Sequence, residues 1–280
     1  MQTLNCLDTL IDLSVPKVMG IINVTPDSFY DGGKTFSEKE ILKQAEKMLS
    51  EGATFLDVGG YSTRPGAEDI SETEEIRRVV ESIESMLKRF PEALISVDTF
   101  RSEVAKKAVE AGAAIVNDVS GGTLDAEMYK TVTKLKVPYI LMHMRGNPKT
   151  MAKLTDYKNV TIQVLKDLAE KIALARAAGI NDIVADPGFG FAKTREQSFQ
   201  LLNNLELFQK LNVPILAGIS RKSMIYKTLE TSAENALNGT TSLNTIALLK
   251  GASILRVHDV KEAVECVKLR GEVCGMRFER

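Results

Sequence analysis

The stretch LISVDTFRSEVAKKAVEAGAAIVND, residues 94–118, holds a complete strand–helix–strand unit. The apolar run Leu94–Asp98 predicts a short strand, and Ser102–Ala111 has the spacing of an amphipathic helix. Gly112 follows at the position of a C-terminal helix cap, and Ala114–Asp118 predicts the next strand. Because these strands are apolar throughout rather than alternating, both of their faces are expected to be buried, as in a parallel sheet.

The same unit recurs along the chain. The predicted strands lie near Lys17–Asn23, Phe55–Val58, Leu94–Asp98, Ala114–Asp118, Pro138–His143, Asp182–Asp186, Pro214–Ser220 and Ser253–His258. Helical patterns separate them, among them Arg195–Lys210 and Lys222–Leu229. Eight strand–helix units without a linker predict an α/β fold, a (β/α)8 TIM barrel, in a single domain over residues 1–280. A doubly wound open sheet is the alternative fold, and Thr3–Leu13 predicts a short N-terminal hairpin that closes the bottom of the barrel.

Composition excludes several classes of protein. Hydrophobic residues make up 44 % of the 280 positions and charged residues 26 %, close to the globular average. With 36 Lys and Arg against 37 Asp and Glu, the net charge of −1 argues against a nucleic-acid-binding protein. The sequence has no apolar run of membrane-spanning length and no pattern of a signal peptide. Three cysteines without a paired spacing, Cys6, Cys266 and Cys274, indicate reduced thiols and a cytoplasmic setting.

Polar residues stand at the end of every predicted strand. In chain order they are Asn23, Asp57, Asp98, Asn117, His143, Asp186, Ser220 and His258. The carboxyl ends of barrel strands meet at one rim, which carries the active site in this fold, so these side chains are expected to lie together. Side chains alternate along a strand, so Arg256 and His258 are expected to point the same way. His143 is expected to be structural.

Seven of these strand ends together resemble the dihydropteroate synthases of the folate pathway. Two long segments carry most of the resemblance, MGIINVTPDSFYDGG at 19–33 and DVGGYSTRPGA at 57–67. The shorter ones are Val97–Thr99, Asn117–Asp118, Asp186–Phe191, Ser220–Ser223 and Arg256–Asp259. The resemblance implies an enzyme that joins p-aminobenzoate to 6-hydroxymethyl-7,8-dihydropterin diphosphate, giving 7,8-dihydropteroate and diphosphate. It also implies Mg²⁺ as cofactor, a homodimer, and inhibition by sulfonamides.

The pterin site is predicted from groups that match the edge of a flat heterocycle. A carboxylate can accept two neighbouring N–H donors of a pterin at once, and Asp186 is predicted to do so. Asp98 and Asn117 are expected to complete the contacts to that edge, and Met142 to pack against the ring. The resemblance implies that Lys222 reaches the pterin carbonyl and a ring nitrogen.

The diphosphate site is predicted beside the pterin. The planar guanidinium of Arg256 can stack on the ring while its N–H groups reach a phosphate. His258 follows on the same face, and Asn23 lies on the neighbouring strand of a closed barrel. The amide oxygen of Asn23 is the predicted Mg²⁺ ligand, because this metal prefers oxygen and shares phosphate groups with its protein site. Thr63 is expected to add a contact to the diphosphate.

The p-aminobenzoate site is predicted next to Lys222. Phe191 is expected to line the aniline ring, and Ser223, at the start of a helix, to hold the carboxylate. The two long loops are expected to close over the site, and the residues predicted from them are Phe29, Asp31, Thr63, Arg64 and Pro65. Catalysis is assigned to Asp98, Lys222, Asp31 and Arg64.

Three alternative functions differ from this one in the residues or the ligand that they require. A corrinoid-linked methyltransferase that uses methyltetrahydrofolate would share the pterin-edge residues but would not need the two long loops. A non-catalytic pterin-binding protein would be expected to have lost Asn23, Lys222 or Arg256, and all three are present. An unrelated phosphate-handling barrel enzyme would not gain thermal stability from 7,8-dihydropterin.

Overall fold

The structure, a computed structural model, describes residues 2–24, 38–62 and 69–275. Its strands are β1 Thr3–Cys6, β2 Thr9–Asp12, β3 Lys17–Asn23, β4 Phe55–Gly59, β5 Leu94–Asp98, β6 Ile115–Asp118, β7 Tyr139–Met142, β8 Ile183–Asp186, β9 Leu216–Ala217 and β10 Ile254–Val257. Its α-helices are α1 Glu38–Ser50, α2 Glu72–Arg89, α3 Ser102–Glu110, α4 Met128–Leu135, α5 Val160–Ala177, α6 Arg195–Asn203, α7 Ser223–Tyr226, α8 Leu237–Leu249 and α9 Val260–Val273.

The strands β3 to β10 form one parallel sheet that closes on itself. Each strand from β4 to β8 pairs with the one before it, and β10 lies between β3 and β9. A parallel bridge between Ala185 and Ile215 joins β8 to the segment before β9 and so completes the circle. The predicted TIM barrel is therefore confirmed, and the open sheet is excluded.

The N-terminal hairpin of β1 and β2 fills the bottom of the barrel, as predicted. Its side chains belong to one buried cluster with inward-facing residues of the strands, namely Leu4, Cys6, Leu13, Met19, Phe55, Ala114, Ile115, Ile140, Val184, Leu216 and Ile254. Leu4 is 1 % exposed, and burial of one such side chain contributes about 1.5–3 kcal/mol. The bottom is thus closed by apolar packing, and the opposite end, formed by the carboxyl ends of the strands, is called the mouth.

Two predicted helices are wrong in their extent. The pattern Arg195–Lys210 is not one helix, because α6 ends at Asn203 and a 3₁₀ helix, Leu205–Leu211, follows. Asn204 ends α6, and its side-chain amide donates to the carbonyl of Gln200 at 2.8 Å, so the side chain competes for a helix carbonyl. Leu205, Phe208 and Leu211 are buried at the three-residue period of a 3₁₀ helix. The pattern Lys222–Leu229 shortens to the single turn of α7.

The cysteines and the lengths of the helices bear on two of the predictions made from composition. Cys6 and Cys266 are buried and Cys274 is exposed, and all three are free thiols. In the ranges that the structure describes, no helix is both long and apolar enough to cross a membrane.

The strand register sets the level of the polar side chains at the mouth. Asn23 pairs with Gly59, Gly59 pairs with Asp98, and Asp98 pairs with Asn117 across four neighbouring strands. Because side chains of paired residues in a parallel sheet point to the same face, these polar groups form one row on the inner wall.

Candidate active site

Arg256 joins two carboxylates across the mouth. Its Nε donates to Asp57 Oδ2 and its NH2 donates to Asp98 Oδ2, both at 2.6 Å. Asn117 Nδ2 donates to the same oxygen of Asp57 at 3.0 Å. Burial raises the pKa of Asp98 to about 7, although the Arg256 guanidinium opposes this shift. The network therefore holds a guanidinium, an amide and a weakly acidic carboxyl group at fixed positions.

Asp57 is the residue of this network that sequence reasoning missed. The sequence pattern predicts it only as a strand end, whereas the structure buries it completely between Arg256 and Asn117. Its second oxygen, Oδ1, is buried without a hydrogen-bond partner among the described residues. A carboxylate inside the buried strand β4 is costly to desolvate, and that misfit in an apolar run was the available signal. Asp57 orients two groups that face the mouth.

Asp186 presents one carboxylate oxygen to the mouth and uses the other to hold its own loop. The N–H of Gly188 donates to Asp186 Oδ1 at 2.7 Å. Oδ2 faces the space above Gly218, where an added methyl group would lie 3.8 Å from Asp186 Oδ2 and 3.9 Å from Lys222 Nζ. Burial raises the pKa of Asp186, and the Lys222 ammonium opposes the shift. An acceptor and a donor therefore face the same space.

Lys222 is fixed between the mouth and the loop after β8, residues 187–194, called the β8 loop. Its Nζ donates to the carbonyl of Phe189 at 2.6 Å and lies 4.8 Å from the centre of the Phe191 ring. Burial lowers the pKa of Lys222 to about 8, and the Asp186 carboxylate opposes the shift. The preceding residue, Arg221, has a φ of +53° and anchors this turn by a bidentate pair with Asp259 at 2.7 and 2.8 Å. The turn thus holds the ammonium toward the ring of Phe191, called the aromatic wall.

Asn23 and Asp98 face a second shared space, above Gly59. A methyl group there would lie 3.8 Å from Asn23 Oδ1 and 3.8 Å from Asp98 Oδ2. Within the described ranges, no three His, Cys, Asp or Glu side chains come together as a metal site. A single amide oxygen suits Mg²⁺, which keeps most of its waters and binds through substrate phosphates. The donors present therefore fit a Mg²⁺ ion that arrives with a diphosphate.

His258 follows directly after β10, and its ring is hydrogen-bonded to Ser220 in the turn after β9. Ser220 Oγ lies 3.0 Å from His258 Nδ1 and accepts from the backbone N–H of His258 at 3.2 Å. Nδ1 is thus engaged by Ser220, and the ring is held in one orientation.

The apolar wall beside Lys222 contains two predicted residues. Phe191 packs against a buried cluster that includes Met142, which is 3 % exposed. Ser223 is exposed and begins α7, whose N-cap is Lys222 without a side-chain capping bond. Because α7 is a single turn, its dipole adds little, and the exposed hydroxyl of Ser223 is the group that α7 offers to a carboxylate.

Five predicted residues lie outside the described residues. They are Phe29, Asp31, Thr63, Arg64 and Pro65. Within the described ranges, the mouth brings together Asn23, Asp98, Asn117, Met142, Asp186, Phe191, Lys222, Arg256 and His258, with Ser223 at its edge. His143 is not among them: it is buried behind the β8 loop and contacts Asp167 and Lys193.

Comparison with known proteins gives the family. The profile of the family described as pterin binding enzyme matches residues 19–258. The dihydropteroate synthase of Escherichia coli (strain K12) is 44 % identical over 267 residues, which cover 93 % of this chain and 93 % of that one. The chain belongs to the dihydropteroate synthase family.

Solved dihydropteroate synthases have the same barrel. The Yersinia pestis enzyme, solved as a sulfonamide drug complex, is 39 % identical with a TM-score of 0.92, covering 98 % of this chain and 100 % of that chain. The Xanthomonas albilineans enzyme, in complex with 7,8-dihydropteroate, is 36 % identical with a TM-score of 0.88, covering 98 % and 100 %. Dihydropteroate synthases are transferases, so this chain is an enzyme of that class.

Proposed function

We propose that the chain joins p-aminobenzoate to 6-hydroxymethyl-7,8-dihydropterin diphosphate, with release of diphosphate and 7,8-dihydropteroate. The observation that carries this proposal is the space above Gly218, which a carboxylate oxygen of Asp186 and the ammonium of Lys222 both face. A pterin edge carries N–H donors beside a carbonyl acceptor, so it needs an acceptor and a donor next to each other. Asp186 Oδ2 supplies that acceptor and Lys222 Nζ supplies that donor.

The pterin is held by the row of inner-wall groups. Asp186 Oδ2 accepts from the pterin N–H groups, and Lys222 Nζ donates to the carbonyl and a ring nitrogen. Asp98 and Asn117 contact the remaining edge, and Arg256 covers the ring beside them. The support for these roles is the network in which Arg256 already binds Asp98 at 2.6 Å, so the groups are preorganised before the substrate arrives.

The diphosphate leaves toward Arg256, His258 and Asn23. The guanidinium and the imidazole donate to the phosphate oxygens, and Thr63 is predicted to add a further contact. Asn23 would hold Mg²⁺, which when bound supplies charge neutralisation of the diphosphate. These positions are supported by the shared space in front of Asn23 and Asp98.

The chemistry follows from where charge develops. The bond between the pterin methylene carbon and the diphosphate oxygen breaks, and the electron pair leaves with diphosphate. The positive charge left on the carbon spreads into the pterin ring, and the Asp98 carboxylate stabilises it across a water-poor site. The lone pair of the neutral amine of p-aminobenzoate then forms the C–N bond to this carbon, and the nitrogen afterwards gives one proton to the solvent. A protein nucleophile is not required.

The p-aminobenzoate lies between Phe191 and the mouth. Its ring packs on Phe191, and its carboxylate is held by Ser223 with Lys222 nearby. Phe29 and Pro65 are predicted to cover the ring, and Asp31, Thr63 and Arg64 to complete the closed site. Sulfonamides, which share the aniline group, are expected to compete with p-aminobenzoate here.

The direct test of this function supplies the purified chain with both substrates and Mg²⁺. Dihydropteroate and diphosphate are expected to form in equal amounts, measured by chromatography and by a coupled diphosphate assay. Diphosphate released without dihydropteroate would indicate hydrolysis, and methyl transfer from methyltetrahydrofolate would favour the methyltransferase alternative. Either result would contradict the proposal.

The pKa of Lys222 gives an expected pH profile. Because burial lowers this pKa to about 8, the ammonium loses its proton as the pH rises through that value. We expect kcat/KM for p-aminobenzoate, which reports the enzyme form that binds it, to fall as the pH rises through the pKa of Lys222. p-Aminobenzoate itself does not titrate at these pH values. Lys222→Met should lose well over tenfold in kcat/KM, and its kcat/KM should no longer fall at high pH. If the fall at high pH persisted in the variant, the titration would belong to another group.

Removal of the divalent metal should stop turnover. We expect EDTA to suppress product formation and added Mg²⁺ to restore it, because the diphosphate would otherwise leave without charge neutralisation. Asn23→Leu should raise the Mg²⁺ concentration needed for half-maximal rate. Full product formation in the presence of EDTA would contradict a role for the metal.

The homodimer is proposed to form through α8 and α9. These two helices pack against each other and expose large apolar side chains, with Leu249, Leu269 and Val273 at 55 %, 68 % and 78 % exposure. Apolar area of this kind is typical of a protein–protein interface. Sedimentation of the wild type as a dimer and of Leu269→Asp with Val273→Asp as a monomer would support it, and a monomeric wild type would contradict it.

A further inference from the structure

Lys193 is a buried cation just behind the active site, and the mechanism above gives it no role. It stands at the end of the loop that follows β8 and is 7 % exposed. Its Nζ donates to the carbonyls of Gly188 at 2.9 Å and Phe191 at 2.8 Å. Nζ also lies 2.9 Å from His143 Nδ1. One side chain therefore joins two points of the β8 loop to the neighbouring strand end.

The protonation states of His143 and Asp167 decide whether the neutral amine or the ammonium form of Lys193 fits these contacts. His143 Nε2 lies 3.1 Å from Asp167 Oδ2. The hydrogen bond to His143 lowers the pKa of Asp167, so this carboxylate is ionised and can only accept. Burial lowers the pKa of His143 to about 4, so its ring is neutral at neutral pH. The single ring proton must then be on Nε2, which leaves a lone pair on Nδ1.

Three acceptors lie within 3.0 Å of Nζ, namely Nδ1 of His143 and the carbonyls of Gly188 and Phe191, and the carbonyl of His143 lies farther away at 3.4 Å. It follows that Nζ donates one hydrogen bond to each of the three near acceptors. Only the ammonium form of lysine has three donors. Burial lowers the pKa of Lys193 well below its usual value, and the nearby cations Lys222 and Lys171 act in the same direction, whereas the Asp186 carboxylate opposes the shift. Asp167 supplies a countercharge through the His143 ring.

The two carbonyls that Lys193 binds belong to residues that shape the site. The N–H of Gly188 holds Asp186 Oδ1, and the ring of Phe191 lies beside Lys222 Nζ. Gly188 has a φ of +69°, and a side chain there would collide with the backbone carbonyl of His143, so the loop is pressed against β7. The ammonium contacts the same loop through the carbonyls of Gly188 and Phe191.

We propose that Lys193 is a positioning residue for p-aminobenzoate: by binding the backbone of Phe191 and Gly188, it holds the aromatic wall at its distance from Lys222. The inference rests on the proposed function. The position of Asp186 depends less on Lys193, because the backbone N–H of His143 also donates to the backbone carbonyl of Asp186 at 2.9 Å. Loss of Lys193 should therefore affect p-aminobenzoate more than the pterin.

Lys193→Met tests this, because methionine keeps the length of the side chain and removes the donors. The expected result is a rise of about tenfold in KM for p-aminobenzoate, with kcat at saturation and the calorimetric Kd for 6-hydroxymethylpterin each within about threefold of wild type. An unchanged KM in a folded variant overturns the proposal, as does a lowered melting temperature as the sole effect. Calorimetric titration with p-aminobenzoate itself keeps this test separate from turnover, so an inactive wild type would overturn the function and not the positioning role.

A milder variant decides the matter if Lys193→Met fails to fold. Asp167→Asn keeps an acceptor for His143 Nε2 and removes only the countercharge, at a side chain that is 36 % exposed. We expect it to raise KM for p-aminobenzoate about threefold. The matched control is Glu170→Gln on the same helix, where the side chain is 64 % exposed and pairs with Lys166. Equal KM values in Asp167→Asn and Glu170→Gln would contradict the proposal.

Discussion

Asp186→Asn is expected to weaken the binding of 6-hydroxymethylpterin by about a hundredfold, measured by calorimetry. In the variant, the amide oxygen can still accept from the N–H of Gly188, so the loop keeps its bond. The amide NH₂ then takes the place of Oδ2, above Gly218, and turns an acceptor into a donor. Donors of the pterin edge would face a donor of the protein, and two charge-assisted hydrogen bonds would be lost.

A matched control for this variant stands at the other end of the same strand. Asp182 precedes β8 at the bottom of the barrel, where its Oδ2 accepts from the N–H of Asn5 at 3.1 Å. Asp182→Asn makes the same chemical change far from the mouth and should leave pterin affinity unchanged. Full pterin affinity in Asp186→Asn would move the edge contact to another residue.

Arg256→Met is expected to lower kcat/KM by about a thousandfold and the free energy of unfolding by about 3 kcal/mol. The variant leaves Asp57 and Asp98 facing each other without the guanidinium that now binds both at 2.6 Å. It also removes the donor that would meet the departing diphosphate. Steady-state kinetics and denaturant unfolding measure the two effects separately.

The control for this variant is an arginine with an ion pair outside the site. Arg78 on α2 is 15 % exposed and pairs with Glu74 at 2.7 Å, and Arg78→Met should leave kcat/KM unchanged. If Arg256→Met kept its kcat/KM within about threefold of wild type, Arg256 would have no part in the reaction. If kcat/KM fell only as far as the unfolded fraction rises, its role would be structural alone.

The strand ends could be predicted because they obey a local rule. Asn23, Asp98, Asn117 and Asp186 each follow an apolar run, and in a barrel such ends converge whatever the details of packing. The role of Asp57 does not follow from a local rule. Its partner Arg256 is 199 positions away in sequence, and only the closure of the barrel brings β4 and β10 together.

Other features depended on side-chain competition that periodicity does not record. Helix α6 ends because the side chain of Asn204 takes a backbone carbonyl, although the apolar pattern continues beyond it. The burial of Lys193 needs His143 on β7 and carbonyls of the β8 loop in one place. A lysine beside a predicted helix is ordinarily a solvated residue, so its sequence context gave no sign of this role.

The central claim is that one mouth holds a single pterin by its edge. A crystal structure of the chain with bound 6-hydroxymethylpterin tests it most directly. We expect the pterin ring to lie above Gly218, with its edge in hydrogen-bond contact with Asp186, Lys222 and Asn117. A pterin bound elsewhere, or bound in the mouth with its edge turned away from Asp186, would contradict the account.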